Sequence, residues 1–73
     1  MTDPILGNRL REARTAAGLT QAELAERIGV SRKTINTIEN RVFTPSTLVA
    51  LLVARALARR VEDLFFIEDS GHR

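Results

Sequence analysis

Two helix-start signals separated by a single glycine constrain this chain more than any other feature. Thr20 precedes Gln21-Ala22-Glu23, so its hydroxyl can accept from a free N–H of the next turn while the Glu23 side chain reaches back to the Thr20 N–H, a capping box. Leu24, Ala25 and Ile28 then recur at helical spacing, and Gly29 follows at the position that favours a left-handed, helix-ending backbone. The spacing predicts a helix from Gln21 to about Ile28. Ser31 is placed to cap a second helix whose apolar residues, Ile35 and Ile38, are three apart on one face. Val30, between the two helices, reads as a plug into the core.

Two short amphipathic helices joined this tightly are the sequence form of a helix-turn-helix, which sets its second helix into the DNA major groove. Advancing about 100° per residue from Ile35, the residues pointing most directly away from the core are Lys33, Asn36, Thr37 and Asn40, all polar. Arg32 occupies the first exposed turn, where a recognition helix meets base edges. Lys and Arg donate to purine N7 and O6, Asn pairs with adenine, and a Thr methyl can touch a thymine methyl. A merely solvated face would show the same wheel.

The ordered strings Leu10-Arg11-Glu12-Ala13-Arg14, Gly18-Leu19-Thr20-Gln21-Ala22-Glu23-Leu24-Ala25, Gly29-Val30-Ser31, Thr34-Ile35, Ile38-Glu39-Asn40 and Pro45-Ser46 resemble the Xre/Cro-type family, which includes the lambdoid phage repressors. The resemblance covers roughly Asn8 to Phe65. It implies an all-α, lambda repressor-like fold, a compact five-helix bundle whose third helix reads DNA. The expected division is one domain over residues 1–67 and a polar C-terminal tail over 68–73. Carried over position by position, the resemblance puts Arg32, Lys33 and Thr37 at the bases, with Asn36 a further reader, and Gln21 and Asn40 on phosphates. Ser31, Thr34 and Arg41 complete the expected phosphate set. It also implies that Arg14 pairs with Glu39, which the wheel places beside the core boundary. Such a pair orients more than it stabilises; two unrelated surface charges are the alternative.

At 73 residues the chain reads as one domain with a small core, since a domain of that size buries only about 60% of its unfolded surface. Oligomerisation would help it. There is no cysteine, and the lone His72 lies in a polar stretch, so neither a metal nor a cofactor is expected. The carboxylates and the histidine form no catalytic constellation, and no Gly-rich phosphate loop appears, which disfavours an enzyme. No apolar run approaches the roughly 18 residues of a membrane span, and Met1 to Asn8 lacks the character of a signal peptide. The expectation is a cytoplasmic, nucleoid-associated protein of bacterial or phage origin with no membrane partner. Net charge is only +2, so distribution matters more. Residues 31–41 hold Arg32, Lys33 and Arg41 against Glu39, whereas residues 62–69 hold Glu62, Asp63, Glu68 and Asp69 with no basic residue. The acidic end is therefore expected to point away from DNA.

The supports are less sharply marked. A first helix is expected after Thr2-Asp3-Pro4 or near Asn8, with Leu6 and Leu10 apolar and Gly18 as its end. A fourth is expected from Thr44 as cap, with Pro45 in its first turn, to about Ala58, and a fifth over Val61 to Leu64, with residues from Glu68 fraying. Leu48 to Ala54 is seven apolar residues in a row, where members of the resembled family carry charges at the positions of Leu48 and Leu52. Leu48, Leu52 and Arg55, with Arg59 and Phe66, are therefore candidates for a homodimer interface. The alternative is that Phe65, Phe66 and Ile67 cover the leucines within one chain. Ala58 and Arg60 stand where that family places a helix-ending glycine and a serine cap, so helix four is free to run on by a turn. Arg41 stands where members of the resembled family carry a glycine; either Asn40 takes the left-handed conformation and Arg41 touches phosphate, or Arg41 is an ordinary solvated arginine. The expected function is sequence-specific regulation of transcription, as a repressor acting as a homodimer on a two-fold symmetric operator without a small-molecule effector. The alternative is an antitoxin that also binds a toxin protein through the Leu48/Leu52 stripe or the Phe65-Phe66-Ile67 end.

Overall fold

The computed structural model describes residues 4–69; His72 and residues 70–73 of the expected polar tail lie outside that range. The element order is β1 (Pro4–Asn8), α1 (Leu10–Ala16), α2 (Gln21–Ile28), α3 (Arg32–Glu39), α4 (Thr47–Ala56), α5 (Val61–Leu64) and β2 (Phe65–Asp69). The five helices pack around Leu10, Leu24, Ile35, Ile38, Val53 and Leu64, each essentially sealed from solvent. Among the described residues no helix is long and apolar enough to cross a membrane.

The bundle carries a small sheet that the helical reading did not anticipate. β1 and β2 run antiparallel, with Leu6 opposite Ile67 and Gly7 opposite Phe66. Pro4 to Asn8 is thus a strand, and α1 begins only at Leu10, whose N–H is accepted by the Asn8 side chain at 3.1 Å. Likewise Glu68, expected in a fraying tail, is in β2 and lies opposite Ile5. An isolated two-stranded pair is marginal in water. Here the Arg9 N–H donates to the Leu64 carbonyl at 2.8 Å, Phe65 is buried in the core, and the Asn8 amide donates to the Ile38 carbonyl at 3.0 Å. Gly7 is required by close approach, because a Cβ there would run into the Phe66 ring. That ring is capped by the Arg9 guanidinium, 4.3 Å from its centroid.

Helix four also departs from expectation at both ends. Its cap is Ser46, not Thr44, because Ser46 holds the extended backbone from which its hydroxyl accepts the Val49 N–H at 3.1 Å, leaving Pro45 outside the helix. It does not run on: it ends at Ala56, and Ala58 takes a left-handed backbone, φ 55°, so that Leu57 can turn into the core. Such a conformation costs a residue with a side chain about 1–2 kcal/mol. The same applies to Arg41, φ 61°, whereas Asn40 keeps φ −91°. The strain after α3 therefore falls on Arg41 rather than on Asn40.

Along α4, Val53 and Ala54 face the core while Leu48 and Leu51 are 65% and 54% exposed. Leu52, expected on the exposed stripe, is half-buried, so the unpaired apolar edge runs through Leu48 and Leu51 toward exposed Arg55. The aromatic run does not cover it, since Phe65 is committed to the core and Phe66 to Gly7 and Arg9.

Candidate nucleic-acid interface

The reader unit is assembled by short-range bonds. Thr20 Oγ1 accepts the Glu23 N–H at 3.0 Å, and Glu23 Oε1 accepts the Thr20 N–H at 2.8 Å. Hydrogen bonding from the Thr20 backbone N–H first, and from the Thr20 side chain second, holds the Glu23 carboxyl below its ordinary range. Gly29, at φ 79°, ends α2. Val30 tucks against the core, and Ser31 Oγ accepts the Thr34 N–H at 3.1 Å to open α3. Ile35 and Ile38 then anchor α3 from beneath, which turns Arg32, Lys33, Asn36, Thr37 and Asn40 toward its outer side.

Glu39 is the node that holds α3 in place. Its side chain is shielded from solvent, and Arg14 Nε donates to Oε2 at 2.6 Å while Arg14 Nη2 donates to Oε1 at 3.2 Å. Gln21 Nε2 donates to the same Oε1 at 3.1 Å, and Arg11 Nε at 3.3 Å. Arg14 also donates to the Leu19 carbonyl at 2.8 Å. One carboxylate thus ties α1, the start of α2 and the end of α3 together. Burial pushes its pKa up, but the bonds from Arg14 and Gln21, the Arg14 charge and the bond from Arg11 outweigh that and hold it below the ordinary range. The hydrogen bond with Glu39 outweighs burial at Arg14 and raises its pKa. Arg11 was not singled out from sequence, although it lies one turn before Arg14 on the same helix. Neither was Asn8, whose bonds to Leu10 and Ile38 join β1 to both helices.

The remaining side chains divide by what they have left to offer. Among the described residues Arg32 and Lys33 are exposed and form no ion pair, and the Asn36 side chain makes no hydrogen bond. These three keep all their donors. Thr37 Oγ1 donates back to the Lys33 and Thr34 carbonyls, at 3.0 and 3.1 Å, which commits its one hydroxyl proton and leaves its methyl and the oxygen's accepting side. Gln21 uses one amide hydrogen on Glu39, and Asn40 uses one on the Asn36 carbonyl at 2.9 Å; each keeps a second. Asn40 Oδ1 accepts from Arg11 Nη2 at 3.3 Å. Ser31 and Thr34 share a hydroxyl–hydroxyl bond of 2.9 Å at the N-terminus of α3.

Arg41 differs from expectation in a further way. Its Nη1 meets Glu68 Oε1 at 2.6 Å, so the acidic C-terminal segment does not all point away from the positive face. Strand pairing carries Glu68 back to the end of α3. The other dimer candidates are placed apart: Arg55 and Arg59 are exposed on and just after α4, while Phe66 is half-covered on the sheet.

Comparison with known proteins matches residues 10–64 to a protein family described as helix-turn-helix. A relative from Methanothermobacter thermautotrophicus, named an uncharacterized HTH-type transcriptional regulator, is 48% identical over 63 residues, spanning 85% of this chain and 91% of the relative. A protein of the same description from Archaeoglobus fulgidus is 44% identical over 61 residues, 84% of this chain and 87% of its own. Among solved structures, the restriction-modification controller protein C.AhdI from Aeromonas hydrophila superposes with a TM-score of 0.72 at 36% identity, over 75% of this chain and 83% of that one.

Proposed function

Because the chain belongs to the helix-turn-helix family of DNA-binding transcriptional regulators, which are not enzymes, we propose that it is a sequence-specific repressor that binds a two-fold symmetric operator as a homodimer. The observation that carries this reading is the outer side of α3, where Arg32, Lys33 and Asn36 keep their donors while the Glu39 node fixes the helix from behind. Arg32, Lys33, Asn36 and the Thr37 methyl read base edges. Gln21, Ser31, Thr34 and Asn40 set register on phosphates with their remaining donors, and Arg41 joins them by exchanging Glu68 for a phosphate oxygen. Repression follows from occupying DNA that polymerase needs, within the cytoplasm and with no small-molecule effector.

Dimerisation is supported by Leu48 and Leu51, an exposed apolar edge on a helix whose other side is already packed. Leu52 and Arg55, on the same helix, and Arg59, just after it, flank that edge. Two copies joined there present two recognition helices to successive major grooves roughly 34 Å apart.

Selection of bound duplexes from random DNA by the full chain tests the reading. The expected result is an enriched inverted repeat with half-sites about one helical turn apart and an affinity that falls steeply with salt as counterions are released. Enrichment of no sequence, or binding insensitive to salt, overturns it. Sedimentation equilibrium of Leu48→Glu/Leu51→Glu should return a monomer; an unchanged dimer rejects this edge as the interface.

A further inference from the structure

The chain just after α3 exposes two large apolar side chains, Val42 at 77% and Phe43 at 51%. They are not loosely attached. The Val42 and Phe43 N–H groups both donate to the Thr37 carbonyl, at 2.9 and 3.2 Å, so this step is bound to the recognition helix and moves with it. Together with Ser31, Lys33, Thr34 and Thr37, the two residues line a hollow of about 320 Å³ on the surface. Four of those residues, Ser31, Lys33, Thr34 and Thr37, belong to the face assigned above to DNA. Whatever α3 docks on therefore also meets this hollow.

Its chemistry is unlike that of the rest of the reading face. Lys33 supplies a free cation on one side. Thr37 has committed its hydroxyl proton to backbone carbonyls and offers a methyl. Val42 and Phe43 offer only hydrocarbon, and neither has a backbone N–H left for phosphate. In a major groove lined by phosphates and by base donors and acceptors, the one apolar group displayed is the thymine 5-methyl. We infer that Val42 and Phe43 form an apolar reading element that receives thymine 5-methyl groups beside the base pairs met by Lys33 and Thr37. This inference rests on the DNA-reading role proposed for α3. It adds that side chains outside the recognition helix contribute to sequence choice, and that they choose thymine over cytosine through burial rather than hydrogen bonding.

The test replaces each thymine of the selected duplex in turn by uracil, which removes only the methyl, and measures affinity for the full-length wild-type chain. Wild type should lose about fourfold at one or two positions per half-site, the worth of one buried methyl-sized group. Val42→Ala/Phe43→Ala should bind thymine and uracil equally at those positions, Phe43→Leu should keep the discrimination, and Thr37→Ser should leave it in place at one position at least. Wild type indifferent to uracil throughout overturns the inference without touching the DNA-reading role, because a selected sequence already exists. Full discrimination retained by Val42→Ala/Phe43→Ala overturns it too, as does a monomeric Val42→Ala/Phe43→Ala, which assigns the pair to a second copy of the chain. Failure to select any duplex at all is instead the failure of the DNA-reading role.

Discussion

The helix pair that presents the recognition face and the frame that carries it are built by different physics. In α2 and α3 each start is closed by a side chain bonding three residues ahead, Thr20 to Glu23 and Ser31 to Thr34, and the turn between them uses a glycine where a left-handed backbone is needed. In the frame, β1 finds its partner at the other end of the chain, and the turns after α3 and α4 place left-handed backbone on Arg41 and Ala58. The reader thus follows from local rules, while the frame accepts local strain to satisfy distant packing. The two meet at Glu39 and at the Asn8 bond to Ile38.

The largest expected effect is at that meeting point. Glu39→Ala leaves the largely shielded Arg14 guanidinium without its partner, and should lower the unfolding free energy by about 3 kcal/mol in urea titration. The pair also predicts a pH dependence. Glu39 is held below its ordinary pKa in the folded chain, so its stabilisation is fully present above about pH 4.3 and is lost as the pH falls through the folded value. Wild type should therefore lose more stability between pH 7 and pH 3 than Glu39→Gln does; equal losses would show that the node contributes nothing through ionisation.

Next in size, Gly7→Ala forces a methyl against the Phe66 ring and should cost about 2 kcal/mol by the same titration. Thr20→Ala removes one side of the α2 capping box and should cost about 1 kcal/mol. A Gly7→Ala cost smaller than that of Thr20→Ala would invert the comparison, making the strand pair a loose appendage rather than part of the frame. The smallest change is a gain: Ala58→Gly relieves a left-handed alanine, and after the added freedom of the unfolded chain should raise stability by about 0.5 kcal/mol. No gain, or a loss, would mean that the α4–α5 turn is not strained.

What was legible in the sequence follows the same division. The caps at Thr20 and Ser31, the Gly29 turn, the buried edge of Ile35 and Ile38 and the extent of α5 all depend on neighbours within a turn or two, so a periodicity reading finds them. The strands were hidden because Ile5-Leu6 and Phe65-Phe66-Ile67 are too short to show a period, and their pairing rests on contacts the chain makes only once folded. Thr44 reads as the cap because Pro45 commonly opens a helix; in the structure the Val49 N–H is accepted by Ser46 instead. Along α4 a run of seven apolar residues erases the contrast that would mark its buried side, so the exposed stripe expected through Leu48 and Leu52 falls instead on Leu48 and Leu51. At the site, Lys33 and Asn36 could be placed on the outer side by the wheel alone. Arg11 joining Glu39, and Glu68 reaching Arg41, required the fold.

Base reading by the outer side of α3 underlies the proposed function. It is tested most directly by fluorescence anisotropy of Lys33→Ala against the duplex that wild type selects and against a random duplex of equal length, at one fixed salt concentration. Loss of a base-edge contact should weaken binding to the selected duplex about tenfold or more while affinity for the random duplex falls only slightly. Equal losses on both duplexes would make Lys33 a phosphate contact, and no loss on either would remove α3 from the DNA altogether.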